Sequence, residues 1–153
     1  MKRALTVVVM AATATVLSGW VGASASSSGA HRHEIGVRIA VTSAFFVDND
    51  PSGASGGDLF GSTGDMRRHG RKIGTYSSAC TAVSASAGQC QATLAWKRGG
   101  RLQLSGHFEL GKHRNRLAIV GGTGRFRGAG GDAVIQDVNQ QGNVQHVGLT
   151  LLR

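Results

Sequence analysis

The feature that most constrains this chain is a stretch of strict alternation between residues 88 and 110. Cys90, Ala92, Leu94 and Trp96, then Leu102, Leu104, Gly106, Phe108 and Leu110, all fall on one parity. Arg101, Gln103, Ser105, His107 and Glu109 fall on the other. A period of two belongs to a strand with one dry face and one wet face. Trp96 and Leu102 are too close for anything but a tight turn between the two strands. Gly99 or Gly100 supplies the left-handed residue that such a turn needs. A loop of Arg98-Gly99-Gly100 would pair Trp96 with Leu102, Leu94 with Leu104, Ala92 with Gly106 and Cys90 with Phe108.

The preceding segment continues the pattern. Pairing Cys80 with Cys90 sets Tyr76 opposite Leu94 and Gly74 opposite Trp96, with the glycine making room for the indole. A disulfide between Cys80 and Cys90 is therefore expected as a cross-strand bridge. Two hairpins with agreeing apolar faces form a meander, and the rest of the chain extends it. Candidate strands run over 34–47, 58–66, 71–83, 88–97, 101–110, 115–121, 131–138 and 143–152. No stretch in this region has a helical period, glycine is spread throughout, and Pro51 is the only proline. Eight antiparallel strands closing on themselves leave no exposed edge. The predicted fold is all-β, an eight-stranded antiparallel barrel.

The N-terminus reads differently. Met1, Lys2 and Arg3 precede an apolar stretch from Ala4 to about Val21, and Ala23-Ser24-Ala25 forms a small-x-small cleavage site. This order defines a secretory signal peptide over 1–25 rather than a membrane anchor. Trp20 stands where the lipid-bearing cysteine of a lipoprotein box would be. Residues 26–33 form a flexible Ser/Gly-rich tail, and 34–153 form the barrel domain. Cleavage leaves 128 of the 153 residues, enough for one core. It also leaves 15 basic against 8 acidic residues, a surface suited to anionic partners. The expected location is secreted and extracellular, an oxidising space in which two cysteines pair.

Several local patterns are weighed and set aside. Leu117-Ala118-Ile119-Val120 running into Gly121-Gly122-Thr123-Gly124 imitates a dinucleotide-binding turn. The spacing to Gly128 is wrong, no helix follows, and too little chain remains for a nucleotide fold. His31-Arg32-His33-Glu34 is a metal-like fragment without a second cluster, so no metal is expected. Met66 to Lys72 is the densest basic run and tips a hairpin. Nucleic acid is not an expected partner, because the aromatic platforms such barrels use are scarce here.

The segment Leu117-Ala118-Ile119-Val120-Gly121-Gly122-Thr123-Gly124-Arg125-Phe126-Arg127-Gly128-Ala129-Gly130-Gly131 resembles the signature turn of plant dirigent proteins and allene oxide cyclases. Gly57-Asp58-Leu59, Lys72-Ile73-Gly74-Thr75-Tyr76 through Cys80, and Gly100-Arg101-Leu102-Gln103-Leu104-Ser105-Gly106 resemble further pieces of the cyclases, in the same order. The cysteine pair, with Gln89-Cys90-Gln91-Ala92-Thr93-Leu94, is similar to secreted bacterial members of this barrel group. The resemblance implies a barrel with an apolar cavity and no cofactor. It also implies a homo-oligomer, either dimer or trimer, and activity as a cyclase, isomerase or stereo-directing protein on a small apolar or aromatic molecule. Tyr76, Leu94, Trp96, Leu104 and Phe108 are the candidate cavity residues by parity.

The chain departs from the cyclase pattern at the end of its first strand. Phe46 falls where those enzymes carry a glutamate, and Asp48 falls near their asparagine. Asp48 is the candidate acid or base, unless Asp48, Asn49 and Asp50 only open a turn before Pro51. The competing functional reading is a non-catalytic secreted domain that binds a hydrophobic ligand or an anionic cell-surface polymer.

Overall fold

The computed structural model describes residues 31–50 and 53–152. The expected signal peptide and most of the expected tail lie outside them. Eight strands close into one antiparallel barrel in chain order: β1 (Arg32–Val47), β2 (Leu59–Arg68), β3 (Arg71–Ser84), β4 (Ala87–Trp96), β5 (Gly100–Glu109), β6 (Arg114–Gly122), β7 (Gly130–Asp137) and β8 (Val144–Leu152). β1 pairs with both β2 and β8, which completes the ring. It starts earlier than the sequence pattern indicates, inside the expected tail. β8 runs to Leu152 and offers ladder partners to Arg32 and His33.

Every second side chain fills the interior. Val37, Ile39, Met66, Leu94, Leu102, Leu104, Leu117, Ala133, Val147, Leu149 and Leu151 are each at most 2% exposed. Each leucine or isoleucine so buried contributes roughly 1.5–3 kcal/mol. These residues make one continuous core in the middle of the barrel and towards one end.

Pairing between β3 and β4 has the expected register: Cys80 meets Cys90, Tyr76 meets Leu94 and Gly74 meets Trp96. The two cysteines form a disulfide. The reason for Gly74 differs from the expected one. A Cβ there would strike the backbone of Ala95 and Trp96, so glycine permits a close approach of two strands rather than clearing space for the ring.

The β4–β5 hairpin corrects the sequence reading by two residues. Its turn is Lys97–Gly99, which pairs Trp96 with Gly100, Leu94 with Leu102, Ala92 with Leu104, Cys90 with Gly106 and Gly88 with Phe108. A slip of two keeps every side chain on its expected face, so alternation alone does not detect it.

In β1 a bulge at Thr42 interrupts the pairing, with Val41 opposite Gly64 and Ser43 opposite Thr63. Before it, Val37 and Ile39 point inward. After it the inward parity switches to Ala44 and Phe46, which face Ser62 and Phe60.

Candidate ligand cavity

The two ends of the barrel are finished differently. At one end the residues after β6 fold back over the opening. Gly124–Phe126 form a single 3-10 turn, with Gly124 in the left-handed region at φ 61°. Thr123 N–H donates to Arg101 O at 2.8 Å, and Arg125 N–H donates to Gly99 O at 2.7 Å. Phe126 is thereby driven into the barrel, 1% exposed, with its ring 4.5 Å from that of Trp96. The Arg125 guanidinium lies over both rings, 4.8 Å from Phe126 and 5.7 Å from Trp96. The signature residues Gly121, Gly122, Thr123 and Gly124 thus build a plug.

The opposite end is open. A cavity of about 290 Å3 enters there between the C-terminal ends of β1, β3, β5 and β7 and the starts of the strands that follow them. Its aromatic wall consists of Phe45, Phe46, Phe60, Tyr76 and Phe108. Phe60 and Phe108 stand 6.5 Å apart and tilted, an edge-to-face type of contact. Ala92, Leu117 and Ile135 close the floor, and the Cys80–Cys90 disulfide forms part of the wall.

Among the described residues, no Asp, Glu, His, Lys or Arg lines this cavity. Its polar atoms belong to Tyr76, Ser62, Ser78 and Gln145. The Ser62 and Ser78 hydroxyls meet at 3.3 Å across the β2–β3 pair. Gln145 Nε2 donates to Asp137 Oδ1 at 3.0 Å, which fixes the amide and turns Oε1 away from that carboxylate. Oε1 is buried and has no hydrogen-bond partner.

The candidate cavity residues separate along the barrel axis. Tyr76 and Phe108 line the cavity. Leu94 and Leu104 belong to the sealed core between the two ends. Trp96 belongs to the plug and lines a different recess with His33, Arg68, Arg125 and Phe126. Parity reports in or out, not height along the axis.

Asp48 is exposed and outside the cavity wall, and its Oδ1 accepts from the Asp50 N–H at 3.1 Å, as a turn residue does. The buried carboxylate of this loop is Asp58, fully enclosed. It accepts from Asn49 N–H at 3.0 Å and Ser55 N–H at 2.7 Å, and from the Ser55 hydroxyl at 3.4 Å. The two backbone donors hold its pKa below the ordinary carboxylate value, against the opposing effect of burial. Asp58 therefore ties Asn49 and Ser55 together beside the mouth. The cue in the sequence was an acid placed between a Gly/Ser-rich loop and an apolar strand.

An eight-stranded antiparallel barrel, plugged at one end and holding an uncharged aromatic cavity at the other, is the class of protein defined here. Solved structures share the barrel. The barrel superposes on a pyocyanin demethylase with a TM-score of 0.70 at 17% identity, over 78% of this chain and 99% of that one. A pterocarpan synthase dirigent protein matches with a TM-score of 0.65 at 15% identity, over 94% of this chain and 97% of the other. A nonspecific heme-binding cyclase that catalyses a cycloaddition during neoabyssomicin biosynthesis matches at 0.68 and 18%, over 83% of this chain and 69% of the cyclase. No family model and no curated protein matches the sequence. These likenesses establish the fold.

Proposed function

We propose that this protein is an exported barrel that binds a small, uncharged, apolar or aromatic molecule in the open cavity and holds it in a defined conformation. The observation that carries this reading is the cavity wall itself: five aromatic rings, a disulfide and aliphatic side chains, without a charged group. Such a wall rewards apolar surface and penalises an ionised ligand left without a partner. The dirigent protein and the cyclase among the structural neighbours fit a directing or cyclising role. A wall whose one titratable side chain among the described residues is the Tyr76 phenol favours reactions promoted by confinement and orientation, with Tyr76 as the proton donor at hand. The disulfide is compatible with an oxidising extracellular location.

The reading is tested by titrating the protein with 2-naphthol and with 2-naphthoate, following probe fluorescence. The neutral alcohol should bind at least about tenfold more tightly than the carboxylate, which finds no cation in the wall. Ala44→Trp, which fills the mouth from β1, should abolish binding while the barrel still melts cooperatively. Equal affinity for the two probes, or binding unaffected by Ala44→Trp, overturns the proposal.

A further inference from the structure

The ends of the barrel differ in charge as well as in closure. Segments around the cavity mouth carry Asp48, Asp50, Asp58, Glu109 and Asp137 against Lys112 and Arg114, a net negative balance. At the plugged end three separate turns each present two cations. Arg68 and Arg71 flank the β2–β3 tip, Lys97 and Arg98 sit in the β4–β5 turn, and Arg125 and Arg127 lie on the β6–β7 connection. All six side chains are exposed. Backbone bonds tie the turns into one surface: Arg125 N–H to Gly99 O at 2.7 Å, and Lys97 N–H to Ile73 O at 2.9 Å. Arg68 and Arg125 border the same recess. Arg68, Arg71, Lys97, Arg98 and Arg127 make no ion pair with a described residue. The neighbouring acids are already engaged, Asp65 by Lys72 at 2.5 Å and Arg67 at 3.4 Å, and Glu34 by Arg32 at 3.4 Å.

We propose that the plugged end is a docking face for a linear polyanion carrying repeated phosphate groups. Guanidinium groups dominate the face, and their planar forks match phosphate oxygens two at a time. Their spread over three turns suits an extended polymer rather than a single small anion. A bilayer fits less well, because Phe45, Phe46, Val47, Leu59 and Val83, most of the exposed large apolar side chains, gather towards the other end. A nucleic acid also fits less well. Trp96 and Phe126 pack against one another, tilted, inside the plug and provide no platform for bases. Docking through this face leaves the cavity mouth pointing away from the polymer.

The test is binding to linear inorganic polyphosphate, measured by calorimetry from 50 to 200 mM salt. With the five cations that make no ion pair and a slope of about 0.7 per contact, affinity should fall about 130-fold over that range. Arg98→Ser with Arg127→Ser should lower the slope by about 1.4 and weaken binding at low salt. Lys112→Ser with Arg114→Ser removes the same charge from the cavity end and should leave the slope unchanged. Equal losses from the two pairs would mean that net charge alone is responsible, which overturns the docking face. Binding to anionic phosphatidylglycerol vesicles without binding to polyphosphate overturns it in favour of a membrane. Salt-insensitive binding, or none, also overturns it.

Discussion

Phe126 and Phe46 are both aromatic side chains at an end of the same barrel, yet one is sealed and the other is 55% exposed. Phe126 sits under a turn whose backbone is bonded to the neighbouring hairpin, packed against Trp96 with the Arg125 guanidinium over both rings. Phe46 stands beside Phe60 on the wall of an open cavity. The difference shows that aromatic surface is packed away at one end and left exposed at the other, where the proposed ligand would meet it.

The sharpest way to break this comparison is to make the same truncation at both ends. Phe126→Ala should cost about 3–5 kcal/mol in urea unfolding, because it removes a fully packed ring and opens the plug. Next is the disulfide in the cavity wall. Replacing Cys80 and Cys90 together by alanine should lower stability by about 2–3 kcal/mol, read as a shift in the denaturant midpoint.

A smaller effect comes from Asp58. Its folded-state pKa is lowered, so its stabilisation is full above the unfolded carboxylate value and is lost as pH falls through the folded one. The thermal midpoint should therefore drop on acidification below about pH 4, and Asp58→Asn should remove that part of the pH dependence. Gln145→Met should change stability by no more than about 1 kcal/mol, since it loses the Asp137 bond but relieves an unpartnered acceptor. Smallest in stability is Phe46→Ala, within about 0.5 kcal/mol, although it should weaken binding of 2-naphthol several-fold. If Phe46→Ala destabilised the fold as much as Phe126→Ala, the division of labour between the ends would fail.

Much of the barrel is legible in the sequence because inward and outward positions alternate without interruption for most of its strands. Each candidate strand has its counterpart, displaced by no more than two residues at either boundary. What alternation leaves undetermined is position along the strand. Leu94, Leu104, Trp96, Tyr76 and Phe108 share an inward direction and are spread over three levels: core, plug and cavity. The two-residue slip between β4 and β5 has the same origin, and it matters locally. It places Phe108 opposite Gly88 rather than Cys90, where a Cβ would crowd the Phe60 ring. Phe46 escapes the parity argument for another reason: one extra residue, Thr42, reverses the alternation just before it. Asp48 attracts attention as the acid near the cavity, but short-range turn bonding occupies it, and the enclosed carboxylate is ten positions further along.

The bulge at Thr42 gives the first strand two independent alphabets. Letters on one side of that residue spell the permanent interior, and letters on the other spell the doorway. Removing or adding a single codon there would move Phe46 to the outer parity and Val47 and Phe45, the latter already at the cavity rim, to the inner one, while leaving Val37 and Ile39 in place. Selectivity at the entrance can therefore be rewritten in one step by insertion or deletion, without disturbing what keeps the cylinder shut at its far end.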